Sequence, residues 1–220
     1  MISMALSSDA PHLTRRRAAM SRPSPLPNRC APDGTLHAVA ARGGLMGNRG
    51  GRLNRNDFSL GPARWKGRAW IACRLDFKSR HRSVMGSGYT EMFFLDEVTA
   101  LAAGHRPCFE CRRSDAIAFA DAWARAQGLK APPRAAEMDA VLHAQRRGPP
   151  DTVCADCLPP GAIFRQGAAF HLRTPAGCAR WSFEGYAPST GTESISDPVE
   201  AITPAAIRAL LRDYVPQSAL

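Results

Sequence analysis

The chain is short of acid. Over 220 residues, 19 Asp and Glu stand against 29 Lys and Arg, giving a formal net charge of +10 at pH 7. The deficit is lopsided: residues 1–83 carry 16 Lys and Arg against 4 Asp and Glu, and the other 137 carry 13 against 15. A one-sided basic region disfavours cationic partners and attracts polyanions, most commonly phosphate backbones. Long hydrophobic runs are also missing. No stretch approaches the ~18 apolar residues of a membrane span, so no membrane partner is expected. Residues 1–29 lack the apolar core of a secretory signal, and the expected location is the cytoplasm. Residues 1–35 read as a flexible basic leader, with Asp9 the one acid among the first 29 and Met20 a second candidate start. Common catalytic signatures are absent too: there is no G-x-S-x-G, no H-E-x-x-H and no paired-Asp nuclease motif. The glycine-rich "GGLMGNRGG" at 43–51 could bring backbone amides to an anion, but it lacks the Gly-Lys-Ser/Thr ending of a P-loop.

What is present suits a globular unit. Hydrophobic residues make up 45% of the chain, enough to bury a core. In "RAWIACRLDF", Ile71, Cys73, Leu75 and Phe77 alternate onto one face of a predicted strand, and "YTEMFF" reads as a second. "DEVTALAA" predicts a short helix with Asp96 as N-cap and Gly104 just past its end. A second helix, capped by Ser114 and Asp115, should run to Gln127 and bury Ile117, Ala120, Trp123 and Ala124. A third, over about 135–146, should turn Met138, Val141 and Leu142 inward. Short β runs separated by Gly and Pro fill residues 161–186, and "TPAAIRALLRDY" closes the chain as a helix with Thr203 as N-cap and Pro204 at the first helical position. No internal repeat or long linker interrupts this order. The fold class is α+β: one domain over residues 36–220, with a small antiparallel β region at about 158–190 and a C-terminal helix.

Seven cysteines is an odd number in a chain with no sign of export, and thiols at short spacing then read as metal ligands. Cys108 and Cys111 form a C-x-x-C turn, which is half of a tetrahedral zinc site. Around it, Phe93, Phe94, Ala100, Ala102, Ala103, Gly104, Arg106 and Pro107 complete the pattern F-F-x5-A-L-A-A-G-x-R-P-C-x-x-C. This stretch, within about 69–113, resembles the Ada-type zinc-binding domain. The resemblance implies a zinc module over about 65–128, built of two strands and short helices, in which Cys108 and Cys111 ligate zinc. It also implies upstream ligands from a C-x3-C or His/Cys pair. Cys73 stands near the expected place, but position 77 is Phe, so the fourth ligand must come from elsewhere: His81, His105 or a water. The alternative is a double C-x-x-C ribbon completed by Cys154 and Cys157; Cys30 and Cys178 read as incidental thiols. The phrases "GLMGNRGG", "YTEMFFLDE", "EMDAVLH" and "RWSFEGY" further resemble a family of uncharacterised bacterial proteins, which implies one continuous unit from about Gly43 and supplies no mechanism.

The functional expectation is a structural zinc that pins the strand bearing Cys73 to the turn bearing Cys108 and Cys111. Arg49, Arg52, Arg55, Lys66, Arg68, Lys78, Arg80 and Arg82 would contact nucleic-acid phosphates without reading sequence. Trp65 and Trp70 interleave with these cations and could stack on bases. Two other classes stay open. One is a metal-dependent hydrolase or nuclease using an open zinc or the cluster Glu137, Asp139 and His143, in which Asp139 and His143 share a helix face at i, i+4. The other is a protein-interaction module whose basic face meets an acidic partner.

Overall fold

In this computed structural model, which describes residues 22–80, 83–188 and 198–220, short strands carry most of the architecture. Strands β1 (Pro27–Cys30), β2 (Leu36–Ala38), β3 (Leu45–Asn48), β4 (Ile71–Cys73) and β5 (Met92–Phe94) are followed by helix α1 (Glu97–Ala102) and the two-residue strand β6 (Arg106–Pro107). These strands form one sheet in the order β2-β1-β5-β3-β4-β6, in which β1–β5 and β4–β6 run parallel and the other pairs antiparallel. Helices α2 (Arg113–Ala126) and α3 (Ala135–Gln145) come next. The chain then enters β7 (Asp151–Val153), β8 (Ile163–Gln166), β9 (Ala169–Thr174), β10 (Gly177–Ser182), β11 (Gly185–Pro188), β12 (Val199–Ala201) and helix α4 (Ala205–Leu210). The second sheet is wholly antiparallel, in the order β11-β10-β9-β8-β12-β7. The described residues are thus α+β, and no helix among them is long and apolar enough to cross a membrane.

Helix α1 is the hinge of the packing. All six of its residues are buried, because it lies between the sheets. Ala100 and Ala103 face the first sheet beside Met92 and Phe94, while Val98 and Ala102 face the second beside Ile163, Leu172 and Trp181. Its small alanines let both sheets approach, and its polar side chains, Glu97 and Thr99, are buried with hydrogen-bond partners. The other face of the second sheet carries α2, α3 and α4: Phe119, Trp123, Met138, Leu142, Ile207 and Leu210 close on Phe164 and Ala201. Strand β8 is buried on both sides, with Ile163 and Phe164 each fully covered.

Several local expectations are met. Asp96 caps α1, its carboxylate accepting from the Thr99 N–H at 2.8 Å, and Gly104 takes the left-handed φ of +79° that ends the helix. Strands β8 to β11 are joined by three two-residue hairpins. Others need correction. The segment expected as leader enters the first sheet at Pro27, and Asn28, Cys30 and Ala31 are almost fully buried; residues 1–21 lie outside the described residues. The zinc module expected at 65–128 therefore shares its sheet with strands from 27–48. The long strand expected through Phe77 stops at Cys73. On one side its partner β6 ends in Pro107, which has no N–H, and the chain turns away at Cys108, so that edge offers residues 74–77 no strand to pair with. Helix α2 begins before the expected cap, with Arg112 as N-cap and Ser114 and Asp115 inside it. Ile117 and Val141 are exposed rather than buried. At the last helix Pro204 takes the N-cap position, and the buried Thr203 hydroxyl accepts from the Ile163 N–H instead.

Candidate metal centre

Three thiols meet where the first sheet runs out. Cys73 ends β4, and the parallel strand β6 lies beside it, so that the Cys108 N–H donates to the Ala72 carbonyl at 3.0 Å. The chain then turns through Phe109 and Glu110, returning Cys111 to the same point before the Arg112 N–H closes on the Cys108 carbonyl at 2.9 Å and α2 begins. The sulfur atoms of Cys73, Cys108 and Cys111 all lie within 4.8 Å of one another, and each residue is 8–9% exposed. Tetrahedral zinc with sulfur ligands at ~2.3 Å sets sulfur atoms about 3.8 Å apart, a spacing that falls within that limit. Met46, Ile71 and Phe77 pack around them.

The electrostatics favour a bound cation. Cys108 is drawn down to about 5, first by the hydrogen bond from Cys73 and then by backbone N–H groups, including Glu110 N at 3.4 Å from its sulfur. Cys73 is pushed far up by its hydrogen bond to Cys108 and by burial, and Cys111 is pushed up by burial first. The cluster therefore carries one negative charge of a possible three. A divalent cation is what lets the other two sulfurs ionise.

The remaining candidate ligands fall elsewhere. His105 is fully buried, and the two-residue strand β6 between it and Cys108 turns the two side chains to opposite faces. Its Nε2 accepts from Arg49 Nε at 3.3 Å, and its ring packs on Trp70 and Phe94. Burial and the charges of Arg49 and Arg146 hold it well below its usual range and keep it neutral. Cys154 and Cys157 flank a 3-10 turn after β7 on the second sheet and are not brought to the three thiols. Cys30 is buried against Arg49, and Cys178 is half-buried on β10. His81 and Arg82 lie outside the described residues.

Glu137, Asp139 and His143 do not form a joint site. The Glu137 carboxylate accepts from the Arg134 N–H at the start of α3, Asp139 takes both arms of Arg106 at 2.9 and 2.8 Å, and His143 stands edge-on to Trp65. Arg49 is 1% exposed and so no surface cation: it donates to the Gly34 carbonyl at 2.9 Å and lies 3.9 Å from the Trp70 ring centre. Trp70 is buried beneath it and cannot stack on a base. Arg52 is half-buried and bonded to Asn56; Arg55, Lys66, Arg68, Lys78 and Arg80 are exposed, the last paired with Glu110 at 2.7 Å.

The structure adds a groove and, with it, residues that the sequence did not mark, among them Arg22, Arg29, Arg42, Arg74 and Glu91. The thiols open on a cavity of about 540 Å³ lined by Phe77, Tyr89, Glu91 and Phe93, with Arg74 and Arg80 at its edge. It adjoins a second of about 600 Å³ that shares Leu75, Val84 and Phe93 and adds Arg22, Arg29 and Arg42. Together they make a groove with five arginines, an aromatic floor and two acids. Of these acids, Glu91 is buried and accepts from the Met85 N–H, and Glu110 lies at the Arg80 pair. The groove depends on register: β1 pairs β5 in parallel with Arg29 opposite Phe93, the guanidinium 4.8 Å from the ring centre. Alternation in "MFF" implies that Phe93 faces away from the core, but no local signal links it to a residue 64 positions earlier. Compared with protein-family models, with curated proteins and with solved structures, the chain matches none of them.

Proposed function

We propose that this is a zinc protein whose metal, held by Cys73, Cys108 and Cys111, sits at the head of a groove that receives a nucleic-acid strand. The observation that carries the reading is the meeting of three buried thiols at the wall of a cavity edged by arginines. The fourth ligand is an exogenous group or His81, which follows the cavity-lining Arg80. Phosphates would lie along Arg29, Arg42, Arg74 and Arg80, and bases against Tyr89, Phe77 or Phe93, the combination of cations and π-faces that single strands use. Arg55, Lys66, Arg68 and Lys78 would add long-range attraction. Three thiolates and one Zn²⁺ leave a net charge of −1, which makes the metal a weak Lewis acid. A structural role, with the groove as the working surface, is therefore favoured over hydrolysis.

The test has two steps. Elemental mass spectrometry should find about one zinc per chain, lost in Cys73→Ser and Cys108→Ser and kept in Cys154→Ser. The zinc-loaded protein should then bind an oligonucleotide with an affinity that falls steeply with salt, by roughly 0.7 log units per log unit of salt for each phosphate of a single strand. Arg42→Glu with Arg74→Glu should weaken binding by about tenfold or more. Unchanged binding in that double variant would remove the groove from the reading. Nucleolytic turnover that disappears with zinc would move the protein into the hydrolase class.

A further inference from the structure

A third cavity, of about 360 Å³, shares no lining residue with the metal centre. It lies at the seam between the two halves of the molecule. Arg64, Trp65 and Trp70 come from the first half, Gln145 and Arg146 from the end of α3, and Arg165 from β8.

Its chemistry is that of an anion site. Arg146 is fixed by two carbonyls, Gly104 O at 2.6 Å and Arg68 O at 2.8 Å, and its guanidinium lies 4.2 Å from the centre of the Trp70 ring. A guanidinium has five N–H groups. Three of those on Arg146, the buried Nε–H among them, have no acceptor among the described residues. Its nearest acid, Asp139, is committed to Arg106. Burial, with Arg49 and Arg106 nearby, lowers Arg146 to about 10 despite that carboxylate. Arg64 is exposed and makes no ion pair among the described residues. The acids at the rim are engaged: Asp33 accepts from Thr35, and Asp151 pairs with Arg208. The half-buried Trp65 supplies an aromatic wall.

We propose that this cavity binds a small phosphate monoester, with the phosphate forked by Arg64 and Arg146 and a base, where the ester carries one, against Trp65. Guanidinium groups match phosphate oxygens in pairs, which a point charge does not. The volume lies at the low end of the range for small-molecule sites, roughly 300–1,000 Å³, and suits a mononucleotide better than a polymer. Such a ligand would touch both halves of the protein at once.

The experiment uses the full chain, zinc-loaded and ¹⁵N-labelled, and follows the indole N–H signals of its four tryptophans. Trp65→Phe assigns one of them. Inorganic phosphate and adenosine monophosphate are titrated separately at constant ionic strength. The expected result is a saturable shift of the Trp65 and Trp70 signals while Trp123 and Trp181, both buried elsewhere, stay still. Arg64→Glu, at an exposed position that leaves the fold's own bonds alone, should weaken binding by about tenfold or more. Tighter binding of the nucleotide identifies it as the ligand class, and equal binding identifies free phosphate. Shifts that follow ionic strength alone, or an affinity unchanged in Arg64→Glu, would overturn the site.

Discussion

A guanidinium and a carboxylate enclosed together depend on each other, and Arg106 and Asp139 do so through two hydrogen bonds, each side chain 7% exposed. Removing one partner strands the other charge without water, which costs about 3–5 kcal/mol. Asp139→Asn should therefore lower unfolding stability by that amount in a urea titration, whether or not zinc is bound. A smaller loss would mean that Arg106 finds another partner. The three thiols give a second test at this scale. With Cys108 drawn down to about 5 and Cys73 and Cys111 raised, the neutral-pH cluster is one thiolate and two thiols. Zinc must displace the protons that remain, so about two should be released per chain at pH 7, as read by an indicator in weak buffer. The sign follows: zinc affinity rises with pH across the neutral range. The dependence steepens toward three protons below about pH 5, where Cys108 also holds its proton. Release of three protons at pH 7 would show that Cys108 is not the resident thiolate.

At the scale of the element, strand β3 is the constraint on the metal centre, because it lies between β5 and β4. A Cβ added at Gly47 would lie 2.5 Å from the Ile71 carbonyl oxygen and 2.6 Å from the Phe94 ring, so β4 has to move to admit it. Gly47→Ala should cost about 1–3 kcal/mol by overpacking and should also weaken zinc binding, since Cys73 ends the displaced strand. Calorimetry on apo and zinc-loaded protein separates the two effects. Which elements were readable follows from where their causes lie. Helix α1 carries its cap, its small apolar residues and its closing glycine within nine positions, and the C-x-x-C turn and the hairpins from β8 to β11 are equally local. The early start of α2 at Arg113 was not readable, because Arg112 is held by Glu97 at 2.8 Å and by Asp115, a tertiary contact that sets the boundary. Nor was β1, whose four residues pair with β2 and meet β5 only through Arg29 opposite Phe93, a residue far along the chain. Arg49 is hidden from a local reading for a related reason: a cation in a glycine-rich stretch reads as surface, and only the pairing of distant strands encloses it with Cys30, His105 and Trp70.

The whole molecule is tied together at the N-terminus of α1, where two buried carboxylates collect donors from distant parts of the chain. Asp96 accepts from Tyr186 OH on β11 at 2.9 Å and from the Ala219 N–H at 2.9 Å; Glu97 accepts from Tyr214 OH at 2.6 Å and the Gln217 N–H at 3.0 Å, and pairs with Arg112. Negative charge at that helix end is also favoured by the helix dipole. Both phenols are raised above the ordinary 10.0, by burial first and then by the adjacent carboxylate, so the folded state keeps protons that the unfolded chain releases. Stability is then insensitive to these groups below about pH 10 and falls as pH rises beyond it, by at most about 1.4 kcal/mol per pH unit for each tyrosine. Urea titrations from pH 8 to 11.5 should show that fall. Tyr214→Phe keeps the ring against Phe119 and Glu97 bonded to Arg112, so it should cost only about 1 kcal/mol at pH 8 yet flatten the alkaline slope. The Tyr186→Phe, Tyr214→Phe pair should flatten it further. An unchanged slope in the double variant would assign alkaline unfolding to other groups and leave the two carboxylates as a neutral-pH clamp alone.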